Sequence, residues 1–391
     1  MDGPRNASPA VVVAGHICLD IIPLLHEPPD LRPGALVGVG PSALSPGGPV
    51  GNVGFALHRL GVPVRLIGKI GDDEFGRALV GVLRGRDPRL ADGMTVVPGE
   101  TTSYSVVINP PGIDRTFLHC PGANSTFGAS DVPLDRLGGA RILHFGYPPA
   151  MRRLYSDGGL ELRSLLEAVR GRGLVTSLDM CEPDPHGPAG RVDWGAWLTR
   201  ALPAVDVFAP SFDELCVMLG VGARGAPDLG RLRALAERAL SLGPALVALK
   251  LGDQGLYIRT SREPAALGRL CGPLELDDAA WRDREVLAPC FRASHVAGTT
   301  GSGDCTIAGL LAALLRREHP VAAATAATAV GACSVEAPDA SSGVRPWPEV
   351  AARLAAGWPR LPLAPGLDPA TASWEQDAHG TRFAGPAGAV R

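Results

Sequence analysis

The sequence predicts an α/β fold built on a mostly parallel sheet. Three observations carry that expectation: short β-rich apolar runs recur along the chain, helical periodicities lie between them, and glycine and proline mark the junctions. The expected strands are residues 11–14, 64–70, 142–145, 174–178, 205–209 and 246–250. Val53, Leu57 and Leu60 recur at helical spacing, and Gly61 with Pro63 ends that helix. Phe75, Leu79 and Val82 mark a second helix, and residues 231–242 a third. A small-residue stretch from about Cys305 to Arg317 reads as a fourth, its basic end before Pro320 suiting a helix C-terminus.

Two stretches break the alternation. Residues 19–44 and 101–119 read as extended segments that pair into a small sheet covering the main one. Residues 262–289, rich in charge, glycine and proline, read as a surface insertion or long hairpin. Residues 1–9 are expected to form a flexible tail, and 364–391, without apolar period, a disordered one. No internal repeat is present.

The 391 residues are 46% hydrophobic and 20% charged, an ordinary globular balance. A formal net charge of -3 argues against nucleic acid or an anionic membrane as partner. No apolar stretch approaches the roughly 20 residues of a membrane helix. The polar start of the chain lacks a signal core, so a cytoplasmic location is expected. The eight cysteines are scattered without a C-x-x-C pair, which favours buried reduced thiols over zinc or disulfides.

The chemistry concentrates in Gly298-Thr299-Thr300-Gly301-Ser302-Gly303-Asp304, just before the helix near Cys305. Small residues let backbone N–H groups converge, and a helix start adds unpaired donors and positive potential, a cradle for a phosphoryl anion. A carboxylate beside such a cradle makes sense as a base that takes a proton from an attacking hydroxyl. The plainer reading of Asp304 is a helix cap. No Gly-Lys-Ser/Thr follows, so this is not a Walker loop. A second segment, Gly47-Gly48-Pro49-Val50-Gly51-Asn52, allows close ligand approach, and Asn52 offers both donor and acceptor to hydroxyls; an Asn cap on a tight turn is its plainer reading. Asp72, Asp73 and Glu74 read as a solvated helix start rather than a metal cluster.

Together these segments, in this order, resemble the two signatures of the ribokinase-like PfkB carbohydrate kinase family, and the resemblance runs from about Val11 to Pro348. It implies a three-layer sandwich: a mostly parallel central sheet, helices on both faces and a small β lid. Asp20, Gly47, Gly48 and Asn52 fall on its substrate-contact positions. Gly301, Ser302 and Gly303 fall on its anion hole and Asp304 on its catalytic base. Residues 206–214 resemble the segment with an Asn-x-x-Glu motif linked to magnesium and phosphate, which places Glu214 as a magnesium organiser acting through water. Lys250, Gly252 and Gly255 resemble the turn along the nucleotide, with Ser211 and Thr300 also on its nucleotide side. Arg115 and Asn124 fall near the mouth of the site. Ser211 replaces the usual Asn, Gly298 a commonly acidic residue, and Met180-Cys181-Glu182 follows Asp179 where relatives carry an Asn. Asp179 or Glu182 is a further candidate for magnesium-bound water.

The implied activity is transfer of the ATP γ-phosphoryl group, with Mg2+ and a monovalent cation such as K+, to a hydroxyl of a sugar or sugar-like molecule. A homodimer through the lid is a further expectation from the resemblance. Two other readings stay open: a nucleoside kinase, with Phe117, Tyr104 and Phe127 as candidate stacking surfaces, and a catalytically weak sugar or nucleotide sensor. A nicotinamide dehydrogenase is excluded, because no G-x-G-x-x-G follows the first strand.

Overall fold

Apolar runs that must be covered on both sides become the middle of a parallel sheet, because only there are both faces of a strand packed. This holds in the computed structural model, which describes residues 8–111, 115–222, 227–369 and 374–385. Its strands are β1 (Val11–Gly15), β2 (Cys18–Pro23), β3 (Ser42–Gly47), β4 (Val64–Gly71), β5 (Met94–Val97), β6 (Tyr104–Ile108), β7 (Thr116–Cys120) and β8 (Ile142–Gly146). They continue with β9 (Val175–Asp179), β10 (Val207–Phe208), β11 (Leu246–Lys250), β12 (Leu256–Thr260), β13 (Glu285–Ala288), β14 (Glu375–Gln376) and β15 (Arg382–Ala384).

Eleven strands form one sheet in the order β14-β15-β13-β12-β11-β10-β9-β8-β1-β4-β5. From β5 to β11 every pairing is parallel, and from β11 to β14 every pairing is antiparallel. The register at the centre sets Val11 beside Val64 on one side and Ile142 on the other. Alternation along β1 then divides the core. Val11 and Val13 pack with helices Gly48–Arg59, Ser302–Leu315 and Pro320–Ser334, whereas Val12 and Ala14 pack with Leu160–Arg170, Trp194–Ala201 and Leu229–Leu240. The result is helix, sheet, helix.

A second sheet, in the order β3-β2-β6-β7, stands apart from the first. It contains the expected extended segments, with residues 24–41 as an irregular loop between β2 and β3. Its outer strand exposes Phe117 and Leu118 at 43% and 55%.

Two expectations are corrected. Residues 262–289 are not a surface insertion: helix Pro264–Leu274 buries Leu267, Leu270 and Cys271, helix Asp278–Trp281 buries Trp281, and β13 lies inside the large sheet. Most of the charge of this stretch does face outward, as at Arg262, Glu263 and Arg282, but Glu285 on β13 is buried and accepts from Arg233 at 3.0 Å and from Tyr257 Oη at 2.7 Å. Nor is the chain beyond 364 a disordered tail where it is described: Leu367 is buried, β15 pairs antiparallel with β13, and Phe383 packs into the core. Residues 370–373 and 386–391 of that expectation, and 1–7 of the N-terminal one, lie outside the described residues. Pro9 is already buried.

Candidate active site

Open α/β sheets present their ligand sites beyond the carboxyl ends of the parallel strands. Here β1 ends at Gly15, β8 at Gly146, β9 at Asp179 and β11 at Lys250, all on one edge. Helix Ser302–Leu315 points its N-terminus at this edge. Its first cap is Gly301, in the left-handed region at φ 69, where a Cβ would also overlap Ala340. Ser302 N donates back to Thr299 O at 3.3 Å, the N–H groups of Gly303 and Asp304 receive no side-chain cap from Gly301, and Asp304 sits in this first turn, 2% exposed.

Asp304 does not cap its helix. Its Oδ2 accepts from Asn52 Nδ2 at 2.7 Å, and Tyr147 Oη donates between Oδ1 and Oδ2 at 3.1 and 3.2 Å. Asn52 is likewise no cap: it lies one turn into helix Gly48–Arg59, whose cap is Gly47. Because a carboxylate only accepts, the bond to Asp304 fixes the Asn52 amide orientation. Its Oδ1 is then buried with no partner among the described residues, an acceptor left unsatisfied.

Burial pushes the Asp304 carboxyl above the ordinary aspartate range, against the opposing pull of Lys250, Asn52 and Tyr147. Lys250 Nζ donates to Asp179 Oδ1 at 2.6 Å, while Asp179 Oδ2 is buried without a hydrogen-bond partner among the described residues. Burial alone would lower the Lys250 ammonium; the carboxylates of Asp179, Glu214 and Asp304 outweigh it and raise it. Burial raises both Asp179 and Glu214. Three carboxylates thus share one ammonium, and the surplus negative charge together with the unpartnered oxygen fits a divalent cation. Gly303 lies against the Lys250 stem, where a Cβ would come within 3.2 Å of Cδ.

The other candidate residues divide. Asp20 is buried beside Gly47, where a Cβ would overlap its carboxylate, and a Cβ on Gly48 would overlap His16. Burial raises the Asp20 carboxyl to about 6. Ser211 and Glu214 are joined in a capping box: Glu214 N donates to Ser211 Oγ at 3.1 Å, and Ser211 N to Glu214 Oε2 at 2.6 Å. Ser211 also bridges to Lys250 at the strand edge. Gly252 and Gly255 bound the turn between β11 and β12, and Thr300 is buried in the Gly-rich loop. Arg115 Nη1 donates to Thr299 Oγ1 at 2.9 Å, joining the small sheet to that loop.

Some expected positions lie elsewhere. Asn124 is not at the mouth: it is fully buried, its Nδ2 donating to Ile17 O at 2.8 Å and its Oδ1 accepting from Ile17 N at 3.2 Å. Glu182 is exposed. Asp73 caps helix Glu74–Arg86 by accepting from Gly76 N at 2.8 Å. Tyr147 went unnoticed in the sequence, yet it adopts φ 65 and touches Asp304 directly. Its signal was its place between Gly146, where β8 ends, and Pro148-Pro149.

The family described as pfkB family carbohydrate kinase matches residues 8–347. The chain belongs to the PfkB family. An uncharacterised sugar kinase of Archaeoglobus fulgidus is 26% identical over 66% of this chain and 86% of its own. Fructokinase-1 of Zea mays is 31% identical over 78% of this chain and 83% of its own. Other plant fructokinases are aligned over less than half of their own length. Among solved structures, Arabidopsis thaliana ribokinase complexed with ribose and ATP superposes with a TM-score of 0.65 at 19% identity, covering 88% of this chain and 98% of that one. That likeness shows the ribokinase fold, and membership of the PfkB family places the chain among phosphotransferases that act on carbohydrates. Among the described residues no helix is long and apolar enough to cross a membrane.

Proposed function

We propose that this PfkB protein transfers the γ-phosphoryl group of ATP to a hydroxyl of a sugar or sugar-like alcohol, with Asp304 as general base. The observation that carries this reading is the buried Asp304 carboxylate, held by Asn52 and Tyr147 at the open N-terminus of helix Ser302–Leu315. A carboxylate has about four lone-pair positions. Asn52 and Tyr147 leave room on Oδ1 for the acceptor hydroxyl, whose proton Asp304 takes as the oxygen attacks. The N–H groups of residues 301–304 meet the oxygens of the phosphoryl group in flight. The free Asn52 Oδ1 and the Asp20 carboxylate accept from other hydroxyls and hold the reactive one in line.

Asp179 and Glu214 would hold magnesium, Glu214 through water, and the ion when bound neutralises phosphate charge. Lys250 balances the carboxylates and borders the anion cradle through Gly303. Gly252, Gly255, Ser211 and Thr300 line the nucleotide side, with Ser211 supporting Glu214 rather than reaching ATP through an amide. A Cβ on Gly298 would meet the carbonyl oxygens of Pro338 and Ala337 at 3.0 and 3.3 Å, so backbone acceptors lie beside this loop, which supports activation by a monovalent cation there. Arg115, bonded to Thr299, is the link through which the small sheet closes over the cleft.

A sugar is favoured over a nucleoside by the aromatic side chains. Phe127 is buried against Phe145, Tyr104 packs on Phe75, and of the three candidates Phe117 alone is exposed, on the outer strand of the small sheet. The test is ATP consumption with magnesium across a panel of sugars, polyols and nucleosides, for wild type and Asp304→Asn. Turnover on a sugar or polyol, lost in the variant, is expected. Turnover on nucleosides alone, or an Asp304→Asn protein as fast as wild type, overturns the reading.

A further inference from the structure

His16, Cys18 and His119 meet where the main sheet passes into the small one, and the phosphotransfer chemistry above uses none of them. His16 lies between β1 and β2, Cys18 opens β2, and both are buried; His119 lies on β7 and is exposed. The Nε2 atoms of the two histidines stand 3.5 Å apart. With Cys18 as the third donor, the three ligand atoms lie within 4.8 Å of one another.

The surroundings favour lone pairs facing a common point. Ser105 Oγ holds His119 Nδ1 at 3.0 Å, so when Nδ1 donates, Nε2 carries the lone pair. His16 is 4% exposed, and its Nδ1 has no hydrogen-bond partner among the described residues. Burial keeps the His16 ring on the neutral side of the usual histidine range, with His119 adding to the effect, and partial desolvation of the His119 ring, on a residue otherwise open to solvent, acts in the same direction. Two neutral imidazoles with facing Nε2 atoms share either a proton or a cation. Zinc bonds of about 2.0–2.1 Å to nitrogen and 2.3 Å to sulfur separate tetrahedral donors by roughly 3.3–3.6 Å. The nitrogen pair already has that spacing, and the sulfur closes with about an ångström of side-chain motion.

We propose that His16, Cys18 and His119 form a site for a thiophilic divalent transition ion of the zinc class, its fourth position open to the cleft. Nitrogen and sulfur donors select such an ion over magnesium. On binding, the two imidazoles give lone pairs, the Cys18 thiol, which burial keeps protonated and which donates to Asp20 Oδ1 at 3.3 Å, gives up that bond and binds as thiolate, and its proton leaves to solvent; no electrons are transferred. The bound ion ties β7 to the link between the sheets, beside the Asp20 pocket, and so inhibits turnover. The inhibition rests on the kinase reading; the binding does not.

The experiment titrates chelator-treated, reduced protein with Co2+ and follows its absorption, then displaces Co2+ with Zn2+. Wild type is expected to show tetrahedral cobalt bands and a thiolate-to-cobalt band that saturate together and vanish with zinc. Cys18→Ser should lose the thiolate band. His119→Ala, at an exposed position, should bind zinc at least about tenfold more weakly. It should also keep acceptor-dependent ATP turnover in chelator and lose zinc inhibition, with thermal unfolding confirming its fold. A folded wild type without these bands, or His119→Ala binding zinc like wild type, overturns the site. Bands without zinc inhibition of an active enzyme overturn the regulatory half. Were every acceptor to fail, the cobalt spectrum would still decide binding.

Discussion

Asp304 shows how one carboxylate is kept both reactive and fixed. Burial raises it, and the donors Asn52 and Tyr147 lower it by stabilising the charged form. The base works only when ionised, so the acid limb of kcat/KM should lie above about pH 4, where free aspartate titrates. Replacing Tyr147 with Phe removes a donor that favours the anion, so that limb should move to higher pH; a pH–rate profile checks it. Asp304→Asn should cut turnover about a thousandfold with acceptor binding and fold retained, measured by steady-state kinetics and circular dichroism. Lys250→Met strands three carboxylates beside an apolar stem and should cost about 3 kcal/mol in chemical denaturation at neutral pH. Because Asp179 and Glu214 titrate above their usual range when buried, that cost should shrink as the pH falls and they become neutral.

Among elements, what could be read in the sequence followed how local the signal was. The strands at 11–15, 64–71, 142–146 and 246–250 were legible because each is a short apolar run closed by glycine or charge. The Gly-rich loops were legible because glycine is required where the backbone turns left-handed, as at Gly301. Gly301→Ala should therefore disturb the helix start, lower the melting temperature and reduce activity together, in contrast to Asp304→Asn, which should affect activity alone. Residues 262–289 misled because their exposed charges lie on or beside helices whose other faces are buried, and because a sequence does not display the pairing of buried Glu285 with Arg233. Tyr147 was missed because a tyrosine at a strand end has no periodic signature; only the fold brings β8 beside helix Ser302–Leu315. The same holds for His16 and His119, 103 residues apart.

Across the whole molecule, the described chain beyond the family match at 347 is structural. Arg360 sits over the Phe291 ring at 3.9 Å, donates to Pro289 O, His379 O and Thr381 Oγ1, and burial lowers it to about 10. Trp358 stacks on the same ring at 4.8 Å, and its Nε1 donates to Arg292 O at 2.7 Å. These contacts lead β15 onto β13. Ending the chain at residue 347 should bare β13 as an unpaired edge and yield aggregates, visible by size-exclusion chromatography with light scattering.

The small sheet is threaded rather than inserted. Its β2 and β6 are parallel neighbours, yet 80 residues, which include β3 of the small sheet and also β4 and β5 of the main one, separate Cys18–Pro23 from Tyr104–Ile108. Such a pairing closes only after the intervening chain has been laid down. In native-state amide exchange, the β6 and β7 amides should therefore open at lower free energy than those of β1 and β8, letting this layer melt and re-form while the scaffold beneath stays folded.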